Sequence, residues 1–206
     1  MPLGAFKAGM LGAAGSGGDT ENYVLLAEYT YSASGIDLVS FENISQDYKN
    51  LVVEGSIFNT WTGGSYQVST FVNATSIPSG TDYKYHSTYM PESGSSWTNR
   101  DVTGDRWWDY SCFSAYVGTE DETYGDASGF TMWFPDYTHD AAWPEGKGKN
   151  MICNFHAQST TSAQKQYKGF SAGYKQIYAA IETISFYSGM YFGPKSWLRL
   201  YGLSEA

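Results

Sequence analysis

Three histidines and two cysteines bound the chemistry open to this chain of 206 residues. His139 lies in FPDYTHDAAWPEG with Asp136 and Asp140, a spacing at which two carboxylates and an imidazole could meet a divalent cation. A solvated acidic loop uses the same residues, and clusters within one loop are unspecific, so the plainer reading is preferred. TEDETYGDASG at 119–129 holds Glu120, Asp121, Glu122 and Asp126. It lacks the alternating oxygen ligands and late bidentate Glu of a calcium loop. Carboxylates are numerous enough for a glycosidase pair, but nothing in the sequence brings two of them to the separation such a pair needs. No Gly-x-Ser-x-Gly elbow, phosphate-cradling Gly loop, Cys-x-x-Cys or paired-His motif occurs. Cys112 and Cys153 sit inside apparent strands and read as buried free thiols. His86 and His156 fall mid-strand, as core or edge residues. The expectation is a protein without catalysis, cofactor or metal.

The aromatic residues are more informative. Trp61, Trp97, Trp107, Trp108 and Trp143 lie in or beside loops, next to turn residues. Rings in polar loops stack on sugars and anchor protein contacts. Arg106 adjoins Trp107 and Trp108, and Arg100 is near. Any single Trp more commonly covers an end of the fold, so one or two of the five are expected to bind a glycan or receptor. The net charge of −9 repels phosphate backbones and anionic lipid, which argues against nucleic acid and membrane-surface partners. No stretch approaches the roughly 20 apolar residues of a membrane span.

The elements that must position these residues are strands. Only 16% of residues are charged, 17% are aromatic, and Gly reaches 23 and Tyr 18 copies. That is strand-and-turn material, against a helical bundle, a coiled coil or a doubly wound α/β fold. Runs at 22–31, 36–41, 50–58, 66–72, 83–90, 110–117, 129–134, 150–157, 181–187 and 196–203 read as about ten strands. Leu51, Val53, Gly55 and Ile57 share one face. Pro78 and Pro91 fall at segment ends. YKQIYAAIE at 174–182 is read as extended, and QSTTSAQKQ at 158–166 as a loop. The predicted fold is an all-β antiparallel sandwich of the jelly-roll kind, a single domain over 22–206 behind an extended arm at 1–21. The arm is a weak match to a signal peptide, because glycines break its apolar run. Its Leu3, Phe6, Met10 and Leu11 are expected to anchor it on another subunit.

SFENISQDYKNLVVEGSIF at 40–58 and ISFYSGMYFGPKSWLRLYGLSEA at 184–206 resemble segments of small β-rich virion proteins of tailed phages, those of marine bacteria and cyanobacteria especially. The first carries Ile44, Gln46, Tyr48, Lys49 and Leu51. The second closes on Leu-Arg-Leu-Tyr-Gly-Leu, and the MPLG start is similar too. The resemblance covers about residues 22–206. It implies a tail-fibre-like or capsid-exterior sandwich in a symmetric oligomer, such as a homo-trimer, with Lys49 and Arg199 in structural roles. The family's members commonly end longer fibre chains; here only a short arm precedes the body, which leaves a fibre tip, a tail adaptor and a head decoration open. The leading expectation is a non-enzymatic virion protein, made in the host cytoplasm, that attaches to a host-surface glycan and contacts other virion proteins through its arm. The alternatives are a capsid decoration protein clamped by that arm and a tail-associated glycan hydrolase.

Overall fold

The computed structural model describes residues 23–31, 36–59, 66–75, 83–91, 98–103, 114–119, 129–139, 149–158, 166–175, 179–188, 192–194 and 196–204. Among these residues there is no helix. The strands are β1 (Tyr23–Thr30), β2 (Leu38–Phe41), β3 (Asn50–Ser56), β4 (Phe58–Asn59), β5 (Tyr66–Val72), β6 (Tyr83–Pro91), β7 (Thr98–Thr103), β8 (Ser114–Thr119), β9 (Gly129–Phe134), β10 (Lys149–Gln158), β11 (Gln166–Lys175), β12 (Ile184–Ser188) and β13 (Trp197–Leu203). They lie in two sheets, ordered β1-β13-β3-β9-β10-β11-β6-β7 and β2-β12-β5-β8-β4. Side chains are described across β1, β13, β3, β9, β10 and β11 of the larger sheet and β2, β12 and β5 of the smaller. Every pairing is antiparallel except the two-residue contact of β4 with β8.

Period-two alternation explains why these segments face each other. Leu51 and Val53 of β3 are buried, as are Phe130, Met132 and Phe134 of β9 and Met151, Cys153 and Phe155 of β10. Val39 and Phe41 of β2, Val68 and Val72 of β5, and Ile184 and Phe186 of β12 close the core from the other side. The layers touch directly: the Phe130 and Phe186 rings lie 5.9 Å apart, and Thr70 Oγ1 donates to Met132 Sδ over 3.4 Å. Each such buried side chain stabilises the fold by roughly 1.5–3 kcal/mol relative to exposure. Gly55 shares the inward face of β3 because a Cβ there would come within 2.6 Å of Leu198 and 2.7 Å of Phe130.

The connection from β2 to β3 ties distant parts of the chain together. It turns through Asn43, whose φ is 54°. Ile44 N–H donates to Glu182 O over 3.1 Å, and Gln46 Nε2 donates to the carbonyls of Ile44 (2.8 Å) and Ile181 (3.1 Å). Tyr137 donates its hydroxyl to Ser45 O. Lys49 N–H donates to Leu203 O over 3.1 Å. The Tyr48 ring lies against Gly202. Five residues of the first resembling stretch, Ile44, Ser45, Gln46, Tyr48 and Lys49, therefore act as a clasp between segments that are far apart in sequence.

Several expectations need correction. Two strands, β7 and β11, were not predicted. Of the extended segment expected over 174–182, Tyr174 and Lys175 are in a strand while the described residues 179–182 are not. There Ile181 is fully buried and its N–H donates to Tyr137 O over 2.9 Å, because core burial and clasp bonds take the place of sheet pairing. The run at 50–58 divides into β3 and β4. His156 is exposed on the central strand β10, neither core nor edge. Cys153 is a buried free thiol; Cys112 lies outside the described residues.

Candidate functional site

The arm residues Leu3, Phe6, Met10 and Leu11 and the loop residues Trp61, Trp97, Trp107, Trp108 and Trp143 all lie outside the described residues, as do Asp140 and the 120–126 acidic cluster. Asp136 and His139 are described, in a turn that follows β9. Asp136 has a φ of 51°, and its N–H donates to Asn50 Oδ1 over 3.0 Å. Lys149, only 6% exposed, aims its ammonium at the carbonyls of Asp136 (3.4 Å) and His139. The turn is thus held by a buried cation on backbone oxygens. Among the described residues no three His, Cys, Asp or Glu side chains converge as a metal site.

What the fold does assemble is a surface. With Leu51, Val53, Met132, Met151 and Cys153 turned inward, their neighbours on the same strands must turn outward. The register then lines up Leu25, Tyr201, Val52, Trp133, Ile152 and Ala172 across six adjacent strands, on the face away from the core. The next row on that face reads Glu28, Arg199, Glu54, Thr131, Asn154 and Phe170. Tyr201 and Val52 are buried, while Leu25, Ile152 and Phe170 stay 49%, 39% and 41% exposed. Phe170 and Ile152 are diagonal neighbours on paired strands, close enough to form one patch.

Charge sits at one margin of this patch. Arg199 Nε donates to Glu28 Oε1 over 2.7 Å, and its guanidinium stands 5.0 Å from the Trp197 ring centroid. The bond to Glu28 pushes the guanidinium pKa further up, so it stays charged at any working pH. Arg199 is thus paired with a carboxylate on the neighbouring strand. Beyond β1 a cavity of about 360 Å³ opens against the β2–β3 turn, with Glu28, Tyr29, Ser40, Glu42, Asn43 and Ser45 in its lining.

An apolar and aromatic patch with an Arg–carboxylate rim has the composition of a protein interface. High Tyr content and low charge already point to an outer surface partly buried between subunits, but they do not say which residues form it. The available signal is the outward alternation of β9 and β10, which carries Trp133 and Ile152. Comparisons with protein-family models, with curated proteins and with solved structures return no match for this chain.

Proposed function

We propose that this chain is a non-enzymatic structural protein of a tailed-phage particle, a jelly-roll subunit that assembles with copies of itself through the outward face of its larger sheet. The observation that carries the reading is the nesting of strand pairs. Setting aside the paired strands β6–β7 and β10–β11 and the two-residue strand β4, the sheets reduce to β1-β13-β3-β9 and β2-β12-β5-β8. The first remaining strand then pairs with the last, the second with the second last, and so inward. A long hairpin rolled into two sheets has this nesting, and viral capsid domains are among the proteins built that way. Lectin domains share the architecture, so topology alone does not choose a role. The exposed apolar patch favours assembly, and the resemblance of 40–58 and 184–206 to phage virion proteins supplies the particle.

Gold-tagged antibody against this protein, applied to intact particles and viewed by electron microscopy, tests the reading. Gold on the particle is the expected result; signal confined to the soluble fraction overturns it. Gold over the head favours decoration. Gold at the tail tip favours glycan attachment by the loop tryptophans, and replacing Trp61, Trp97, Trp107, Trp108 or Trp143 by Ala would then reduce cell binding while the fold survives.

A further inference from the structure

We infer that the free edge of β1 is the docking site for β1 of a second copy of this chain, the two strands pairing antiparallel about a two-fold axis. β1 stands at one margin of the larger sheet, and among the described residues no strand pairs with its other side. None of its eight residues is buried, and Val24, Leu25 and Tyr29 are exposed. Sheet edges are commonly blunted by Lys or Pro, or by a bulge that twists the strand away. YVLLAEYT has neither Lys nor Pro, and its one charged residue, Glu28, is engaged by Arg199. It does carry a bulge at Leu26, where the register with β13 shifts between Leu25 and Ala27.

That bulge selects a second copy as the occupant. Residues directly opposite one another share a face of the sheet. Tyr23, Leu25, Glu28 and Thr30 stand opposite Leu203, Tyr201, Arg199 and Trp197 and face outward. Val24, Ala27 and Tyr29 stand opposite Gly202, Leu200 and Leu198 and face inward, and Leu26 packs against the core as Ala27 does. From Tyr23 to Thr30 the faces therefore run out, in, out, in, in, out, in, out, an order that is the same in both directions. Turned about a two-fold axis between Leu26 and Ala27, the strand meets its own copy with all eight residues matched face to face. A strand without the bulge leaves Leu26 unmatched. In this register Tyr23 meets the partner's Thr30, Val24 the partner's Tyr29, Leu25 the partner's Glu28 and Leu26 the partner's Ala27. Glu28 is set opposite an apolar residue, three positions and about 10 Å along the strand from the other Glu28. The Val24–Tyr29 pair forms twice and is of the β-branched–aromatic kind that stabilises sheets. The cavity beside β1 takes Leu26, Ala27 and Tyr29 into its lining, with Phe41 and Ile44 across from them, so the inward side chains of the added strand are set beside it.

This edge contact is separate from the outward-face contact proposed above and rests neither on it nor on the phage particle. It is tested with the full chain in solution, as an equal mixture of ordinary and heavy-nitrogen-labelled protein with a benzophenone side chain in place of Leu25. On irradiation the expected product joins one ordinary and one labelled chain, and fragmentation places the link at or beside Glu28. Cross-links only within single chains, or no cross-link, overturn the inference. Cross-links between copies that map to β9, β10 or β11 overturn it too, while leaving the outward-face contact standing. Val24→Asp, exposed on the inward side of the edge, should cut the yield of the β1 cross-link roughly tenfold, whereas Val24→Thr should keep it. An unchanged yield in Val24→Asp also overturns the inference.

Discussion

Gly202 has no room for a side chain. A Cβ there would lie 2.4–2.7 Å from three atoms of the Tyr48 ring. Gly202→Ala should therefore lower stability by about 1–3 kcal/mol in urea denaturation, as overpacking of a filled site does. Combining it with Tyr48→Leu should recover part of the loss, since the two residues touch and their effects do not add. Tyr31 is a contrasting case. It is buried against Phe192, with ring centroids 5.1 Å apart, and its hydroxyl finds no partner among the described residues. Tyr31→Phe should be neutral or stabilising by up to about 1 kcal/mol, because an unpaired buried hydroxyl is a cost. Burial pushes the Tyr31 and Tyr137 phenols and the Cys153 thiol up from their ordinary pKa values. In the unfolded chain a thiol ionises near pH 8.5 and a phenol near 10. The folded state then holds more protons than the unfolded state above about pH 8.5, so stability is full below that pH and falls as pH rises. Urea midpoints measured from pH 7 to 11 should decline through this window, and a flat profile would contradict the burial of these groups. At this scale the sequence was partly legible: Cys153 was read as a buried thiol, while the Tyr48–Gly202 contact joins residues no local pattern connects.

Asn73 shows how one side chain ends an element. It follows β5 with a φ of 51°, where Asn is better tolerated than most residues. Its Nδ2 donates to Ala180 O (2.7 Å), and its Oδ1 accepts from the N–H groups of Glu182 (2.8 Å) and Thr183 (3.2 Å). These bonds hold the strandless lead-in to β12. Asn73→Ala should cost about 1–3 kcal/mol in thermal or urea unfolding, and an unchanged midpoint would show the lead-in held by other contacts. Strands with strong alternation, such as β3, β9 and β10, were legible from residue order because a buried face demands it. The two missed strands lack that mark for separate reasons. β7 reads TNRDVT, an edge strand with little apolar content. β11 reads QYKGFSAGYK, and its inward positions opposite Phe155, Cys153 and Met151 are Gly169, Ser171 and Gly173. Small residues at those positions carry no apolar mark, so the strand hides its core side in the sequence.

Across the whole molecule the outward face of the larger sheet is the feature with consequences for assembly. Ile152→Asp and Phe170→Asp lie on that face, away from the core, so each should change stability by less than about 0.5 kcal/mol. Each should shift the sedimentation of the full chain toward the monomer; a mass that does not respond would place the contact elsewhere. The sequence by itself determined the all-β class, the inward sets of the strongly alternating strands and the acidic surface charge. These follow from composition and from period-two patterning, which act locally and survive without knowledge of neighbours. The order of strands in each sheet, the clasp of residues 44–49 on the chain's last strands, the cover of Tyr48 over Gly202 and the alignment of Leu25, Trp133, Ile152 and Phe170 were decided only in the tertiary structure. Each depends on which strand lies beside which and in what register, and the energy that selects a register comes from packing between segments more than a hundred residues apart in some cases, such as β3 with β13.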